Sequence, residues 1–239
     1  MVSRITNEFV PRMEATYRET SKFQGREIGM RLHMPNCKIS VTTLVMDEDN
    51  GATEDAGVMY FRVVEKLQQS GLVTTDRKFL VWLDADSTNA CGIAAKLAPI
   101  AHVTDNAVTG NSANIGWQKA VPTETALVFR DCWGRGGTGA RTELHELTHS
   151  LGAVNLSAPN SNGFGHCTDD HDIMCYGERG VNTKPRCAVR VELLDCGADD
   201  YFNVRPNAGS YLSTHWNTAN SRFLGDALVD NVPVVIPRP

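Results

Sequence analysis

The sequence predicts an α+β fold: a mixed twisted sheet with a backing helix and a second, central helix, then an irregular, disulfide-tied C-terminal half closed by a final helix. Three observations carry this. Short β-branched and apolar runs at 28–34, 38–46, 78–84 and 125–130 read as strands. Two helical patterns interrupt them, at 54–70 and from about 138 to 152. Beyond Gly152 the periodicity stops, and residues 153–210 are rich in Asn, Gly, Pro, Asp and Cys.

Each element follows from its residues. The first 25 residues are polar with no clear period and are expected to form an arm. Ile28, Met30, Leu32 and Met34 alternate with other residues, as one face of a strand does. In 54–70, Ala56, Met59, Val63 and Leu67 recur at helical spacing, and Gly71 stands where a helix C-cap would. The runs KFLVWLD at 78–84 and TALVFR at 125–130 are short and apolar enough for buried strands. A weaker strand is expected around His102, inside a stretch rich in Asn, Thr, Gly and Ala. The glycine-rich turn 134–137 leads into the central helix. A last helix is expected from Ser210 to about Leu228, with Tyr211, Leu212, Trp216, Ala219 and Phe223 on one side. The organisation is an arm (1–25), an upper sheet-and-helix part (26–152) and a lower loop-rich part (153–239) of one domain.

Composition narrows the partners. The chain has 239 residues, 41% of them apolar, and no run near the roughly 18 apolar residues that span a bilayer. Net charge is −5 without a basic stripe carrying interleaved aromatics, so neither a membrane nor a nucleic acid is an expected partner, and a monomer is expected. The N-terminus lacks the apolar segment of a secretory signal. The seven cysteines nevertheless point to an oxidising compartment. None forms a CxxC pair, and Cys91 with Cys132, Cys167 with Cys175 and Cys187 with Cys196 would staple loops, leaving Cys37 over. An exported protein shown without its leader is the expectation.

The central helix carries the chemistry. His145-Glu146-Leu147-Thr148-His149 is an HExxH segment, and two histidines four apart on a helix project from one face and can share a tetrahedral ion. Glu146, one step round, is placed to reach water beside that ion and act as general base. Ala140, Leu144, Leu147 and Leu151 form an apolar stripe on roughly the opposite face, so the helix can be buried on one side and present its histidines on the other. The predicted cofactor is Zn2+.

The run HELTHSLGAVN followed by DIMCYG at 172–177 resembles the metzincin metalloproteases, whose signature is HExxHxxGxxH followed by a Met-turn; the stretch GHCTDDHDIMCY is also similar to a group of secreted actinobacterial metalloproteases. The resemblance implies a zinc endopeptidase acting on protein or peptide substrates. Gly152 would end the helix, Met174 would lie beneath the metal as an apolar floor, and Tyr176 would hydrogen-bond the oxyanion, as in the astacin and serralysin form.

One departure matters. The third-ligand position of that pattern holds Asn155, whose neutral amide oxygen is a poor zinc ligand beside two imidazoles. His166 is the preferred replacement, because it follows a flexible segment and a Cys167 to Cys175 bridge would hold it against the Met-turn. His171, Asp169, Asp170 and Asn155 stay open as alternatives. Acidic pairs at Asp84/Asp86, Asp169/Asp170/Asp172 and Asp199/Asp200 offer oxygen ligands for Ca2+, or simply cap loops. Two other functions are compatible with the motif: a binding module with impaired catalysis and structural zinc, and a zinc hydrolase of a non-peptide amide.

Overall fold

The computed structural model describes residues 1–46, 55–74, 76–94, 125–136, 139–186 and 193–226. Its architecture is mixed α/β with two small sheets. The larger has the order β2-β4-β3, where β2 (Phe79–Leu83) runs parallel to β4 (Thr125–Phe129) and β3 (Gly92–Ala94) runs antiparallel to it.

The alternation of a strand decides which side of this sheet each residue serves. Phe79, Val81 and Leu83 pack in one hydrophobic cluster with Leu127 and Phe129, under the helix α3 (Ala56–Gln69). Leu80 and Trp82 point into a second, larger cluster with α4 (Arg141–Ser150). α3 starts where Asp55 accepts hydrogen bonds from the Gly57 and Val58 amides at 2.8 and 3.2 Å, an N-cap that satisfies two otherwise unpaired donors. Met59, Tyr60, Val63, Val64 and Leu67 are its buried face. The backing helix and the strands at 78–84 and 125–130 thus lie where the periodicity puts them.

The first 25 residues are not an arm. α1 (Val2–Arg4), a wider π-helical turn (Ile5–Phe9) and α2 (Val10–Phe23) run on from one another and bury Ile5, Phe9, Met13 and Tyr17 in the larger cluster. That four-residue spacing is a helical stripe, but Thr16, Thr20 and Ser21 continue it in polar residues and mask it. Their hydroxyls are satisfied inside the protein: Ser21 donates to the Ile28 carbonyl at 3.0 Å, and Thr20 accepts from the Leu194 amide at 3.3 Å. Tyr17, fully buried, bonds Thr148 of α4 across 2.9 Å, so the N-terminal helix directly braces the central one.

Two further elements differ from expectation. Residues 38–46 form no strand among the described residues; Ile39 and Val41 lie against the larger cluster, Leu44 and Met46 against the smaller. The final helix is broken into α5 (Tyr211–Thr214), a 3-10 turn (Thr218–Asn220) and β5 (Leu224–Asp226), which pairs antiparallel with β1 (Ile28–Met30). The helix stops at Thr214, His215 is extended, and Asn217 caps the 3-10 turn that follows. The buried Asn217 amide accepts from the Asn203 and Ala219 backbone amides and donates to the Asn203 carbonyl, bonds that compete with helix continuation. The weak strand near His102 lies outside the described residues.

From residue 153 onward little is regular, and buried polar groups and disulfides take the place of a layered core. Asp195 accepts from the Asp199, Asp200, Tyr201 and Phe202 amides within 2.6–3.0 Å. Cys91–Cys132 and Cys167–Cys175 are disulfides, and Cys37 is free and exposed. Cys196 is also disulfide-bonded, while position 187 lies outside the described residues. No helix among the described residues is long and apolar enough to cross a membrane.

Candidate metal centre

α4 is the element on which the site is built. Glu143, wholly buried in its first turn, accepts from the Gly134 amide at 2.8 Å and from Trp82 Nε1 at 3.3 Å, which fixes the helix start against both the preceding turn and β2. A carboxylate there also faces the positive end of the helix. At the other end Gly152 adopts φ +98°, and its amide bonds the His149 carbonyl at 2.8 Å while the Ala153 amide reaches Thr148. This left-handed closure, which glycine adopts without strain, turns the chain back beneath the helix.

That reversal is what makes a site. The Ala153 carbonyl accepts from His149 Nδ1 at 2.7 Å. The Ile173 carbonyl accepts from His145 Nδ1 at 2.8 Å. The Glu178 carboxylate accepts from His166 Nδ1 at 2.9 Å. With all three Nδ1 atoms engaged by oxygen, the tautomer at each ring leaves Nε2 as the ligand atom. These nitrogens converge: the ligand atoms of His145, His149 and His166 lie within 4.8 Å of one another, and His149 Nε2 is 3.0 Å from His166 Nε2. Three imidazole acceptors turned toward one point form a group that can hold a metal ion.

Among the alternatives for the third member, His171, Asp169 and Asp170 are not grouped with His145 and His149. His171 sits at φ +68° with its side chain 41% exposed, beside Asp170. Asp169 belongs to a different acidic cluster with Asp199 and Asp200. Asn155 is buried, and its Oδ1 finds no hydrogen-bond partner among the described residues.

Met174 is completely buried in the turn that supplies the Ile173 carbonyl. Its amide bonds Asp172 Oδ1 at 2.7 Å, and its carbonyl accepts from Cys167, the residue after His166. The Cys167–Cys175 disulfide therefore ties His166 to this turn covalently. Tyr176, 42% exposed, places its hydroxyl 2.9 Å from His166 Nε2. Burial pushes the Tyr176 phenol up, with the Glu178 and Glu146 charges adding to the effect, so it stays a protonated donor.

Glu146 is 6% exposed and is not among the three histidines' ligand set. It lies across Gly92 of β3: a Cβ at that position would meet Glu146 Cγ at 2.5 Å and its Oε1 at 2.8 Å, and the Leu127 carbonyl at 2.8 Å. Gly92 and Glu178 are the site residues that sequence reasoning missed. Neither has a local signal; the Asn-Ala-Cys-Gly stretch reads as a loop, and Glu178 is one more surface acid.

Gly92→Ala is expected to press on both the Glu146 side chain and the Leu127 carbonyl and to destabilise the protein by about 1–3 kcal/mol. Thermal unfolding of the purified variant would check it; an unchanged midpoint would show that β3 and Glu146 give way without cost. No family model, curated protein or solved structure matches this chain.

Proposed function

We propose that the protein is a zinc-dependent endopeptidase with a metzincin-like plan, acting on protein or peptide substrates. One observation carries the reading: three imidazole Nε2 atoms converge while each Nδ1 is anchored to oxygen, with a buried glutamate on the same helix. Three protein nitrogens with a fourth position left open are the donor set of catalytic rather than structural zinc. Two nitrogens on a tetrahedral zinc, at bonds of about 2.0–2.1 Å, stand about 3.3 Å apart, close to the 3.0 Å between His149 and His166. His145, His149 and His166 would hold the ion. Bound there, zinc polarises a carbonyl and lowers the pKa of water from 15.7 toward roughly 7.

The chain's own residues do the rest. Glu146 takes a proton from the water that attacks the scissile carbonyl and passes it to the leaving amine. Tyr176, kept protonated, donates a hydrogen bond to the developing oxyanion; a donor in that role contributes about 10²–10³ to rate in other hydrolases. β3 pairs with β4 alone among the described residues, and Gly92 brings it against Glu146. An extended peptide added along β3 would bring its scissile bond past Glu146. The disulfides suit an exported protein.

The test is cleavage of casein, an unstructured substrate. The purified protein is expected to cut it, to stop when zinc is removed with 1,10-phenanthroline, and to recover when zinc is returned. Intact casein in the presence of one bound zinc per chain would sink the reading and favour a structural ion.

A further inference from the structure

A second group of oxygen ligands lies in the same lobe as the third histidine. Asp169, Asp199 and Asp200 each bring a carboxylate oxygen within 4.8 Å of the other two. Asp169 is 1% exposed and Asp200 also 1%. Three adjoining carboxylates repel one another, and burial removes the water that would screen them. The hydrogen bonds present answer only part of this. Asn160 donates its backbone amide to Asp200 Oδ1 at 2.7 Å and its side-chain amide to Asp199 Oδ2 at 3.2 Å.

The remaining oxygens are the informative ones. Asp169 Oδ1 and Asp199 Oδ1 are buried without a hydrogen-bond partner among the described residues. The cation nearest Asp169 is Arg186, whose Nε stands 3.5 Å from Oδ1 on a side chain 48% exposed; the Lys184 charge also reaches Asp169. Neither makes a hydrogen bond there. Burial and the Asp199 and Asp169 charges push the Asp200 carboxyl up to about 6, and burial and Asp199 raise Asp169. Three carboxylates held within 4.8 Å of one another, two of them with a buried oxygen that no hydrogen bond satisfies, are an arrangement a divalent cation resolves.

We infer that Asp169, Asp199 and Asp200 form a calcium site that fastens the loop carrying His166. Calcium takes six to eight oxygen ligands at irregular geometry, which suits carboxylates drawn from loops and leaves room for waters. Magnesium demands a near-ideal octahedron and fits this set poorly. The group contains no nitrogen or sulfur, which separates it from the histidine centre. Asp169 lies three residues after His166, and the Thr168 amide bonds the Asn160 carbonyl at 2.9 Å, so the cation would knit 160, 168–169 and 199–200 into one unit.

The experiment is thermal unfolding of the zinc-loaded protein across a calcium titration, alongside isothermal titration with calcium chloride. One calcium per chain is expected to bind, and the midpoint to rise by about 5–10 °C at a calcium level about 100-fold above the dissociation constant. Magnesium at the same concentrations should shift it far less. Asp199→Asn, at the more open of the three positions, is expected to lose the response while keeping one zinc. Without calcium it should melt at or above the wild type, because a like charge has gone; with calcium the order should invert. A wild type that neither binds calcium nor shifts would overturn the inference, as would an Asp199→Asn variant that responds like the wild type. Zinc content and casein cleavage, read in the same samples, keep this result separate from the fate of the protease reading.

Discussion

Glu146→Gln is expected to lower casein cleavage by about 10²–10⁴-fold while one zinc stays bound. The substitution keeps volume and shape, so the carboxamide still fits over Gly92 without pressing on β3. It removes only the capacity to accept a proton. Metal content should not fall, because the three ligand nitrogens and their anchors at Ile173, Ala153 and Glu178 are untouched. The KM for a peptide substrate should change little, since the loss lies in the chemical step. A variant that cleaves casein at the wild-type rate would remove Glu146 from the mechanism.

His166→Ala is expected to weaken zinc binding more severely than any change around the ligands and to abolish cleavage with it. Loss of an anchoring partner beyond a ligand costs 10–100-fold in affinity in comparable sites. Glu178→Gln, which weakens the bond to His166 Nδ1 at 2.9 Å, should fall in that range. Removing the imidazole itself should exceed it. His171→Ala, five residues on and 41% exposed, should leave zinc and activity unchanged. Equilibrium competition with a zinc chelator ranks the three. If His171→Ala sheds the metal and His166→Ala keeps it, the ligand set is wrong even if the reaction is right.

What could be read from residues alone divides along a physical line. α3 and α4 declare themselves because one face of each is apolar at helical spacing, and β2 and β4 because each is a short, continuous apolar run that the fold packs on both faces. The N-terminal helix buries hydroxyls along with Phe9 and Met13, so its period is invisible to a hydrophobic reading even though Tyr17 and Thr148 meet at the centre of the protein. The C-terminal segment shows the opposite error. Trp216 and Phe223 are spaced as a helix would space them, but the helix stops at Thr214, His215 is extended, and Trp216 turns to bond the Leu151 carbonyl at 2.8 Å. HExxH is local and therefore legible. His166 could be preferred because of the neighbouring disulfide, yet Glu178 and Gly92 reach the centre only through the folded backbone, and no spacing in the sequence encodes that.

The pairing of β1 with β5 has a consequence for how the protein comes to exist. Ile28 lies opposite Asp226, and Arg26 bonds the Asp226 carboxylate 200 residues away along the chain. The helix that braces α4 and the strand that closes the same region thus lie about 200 residues apart along the chain. Contacts so distant in sequence form late, after a large loop-closure cost. A nascent or half-threaded chain holds HExxH without the Trp216 anchor, the Asp195 hub or the closing strand. On the proposed function, hydrolytic competence should therefore appear in one late step, once the chain as far as Asp226 is free to fold.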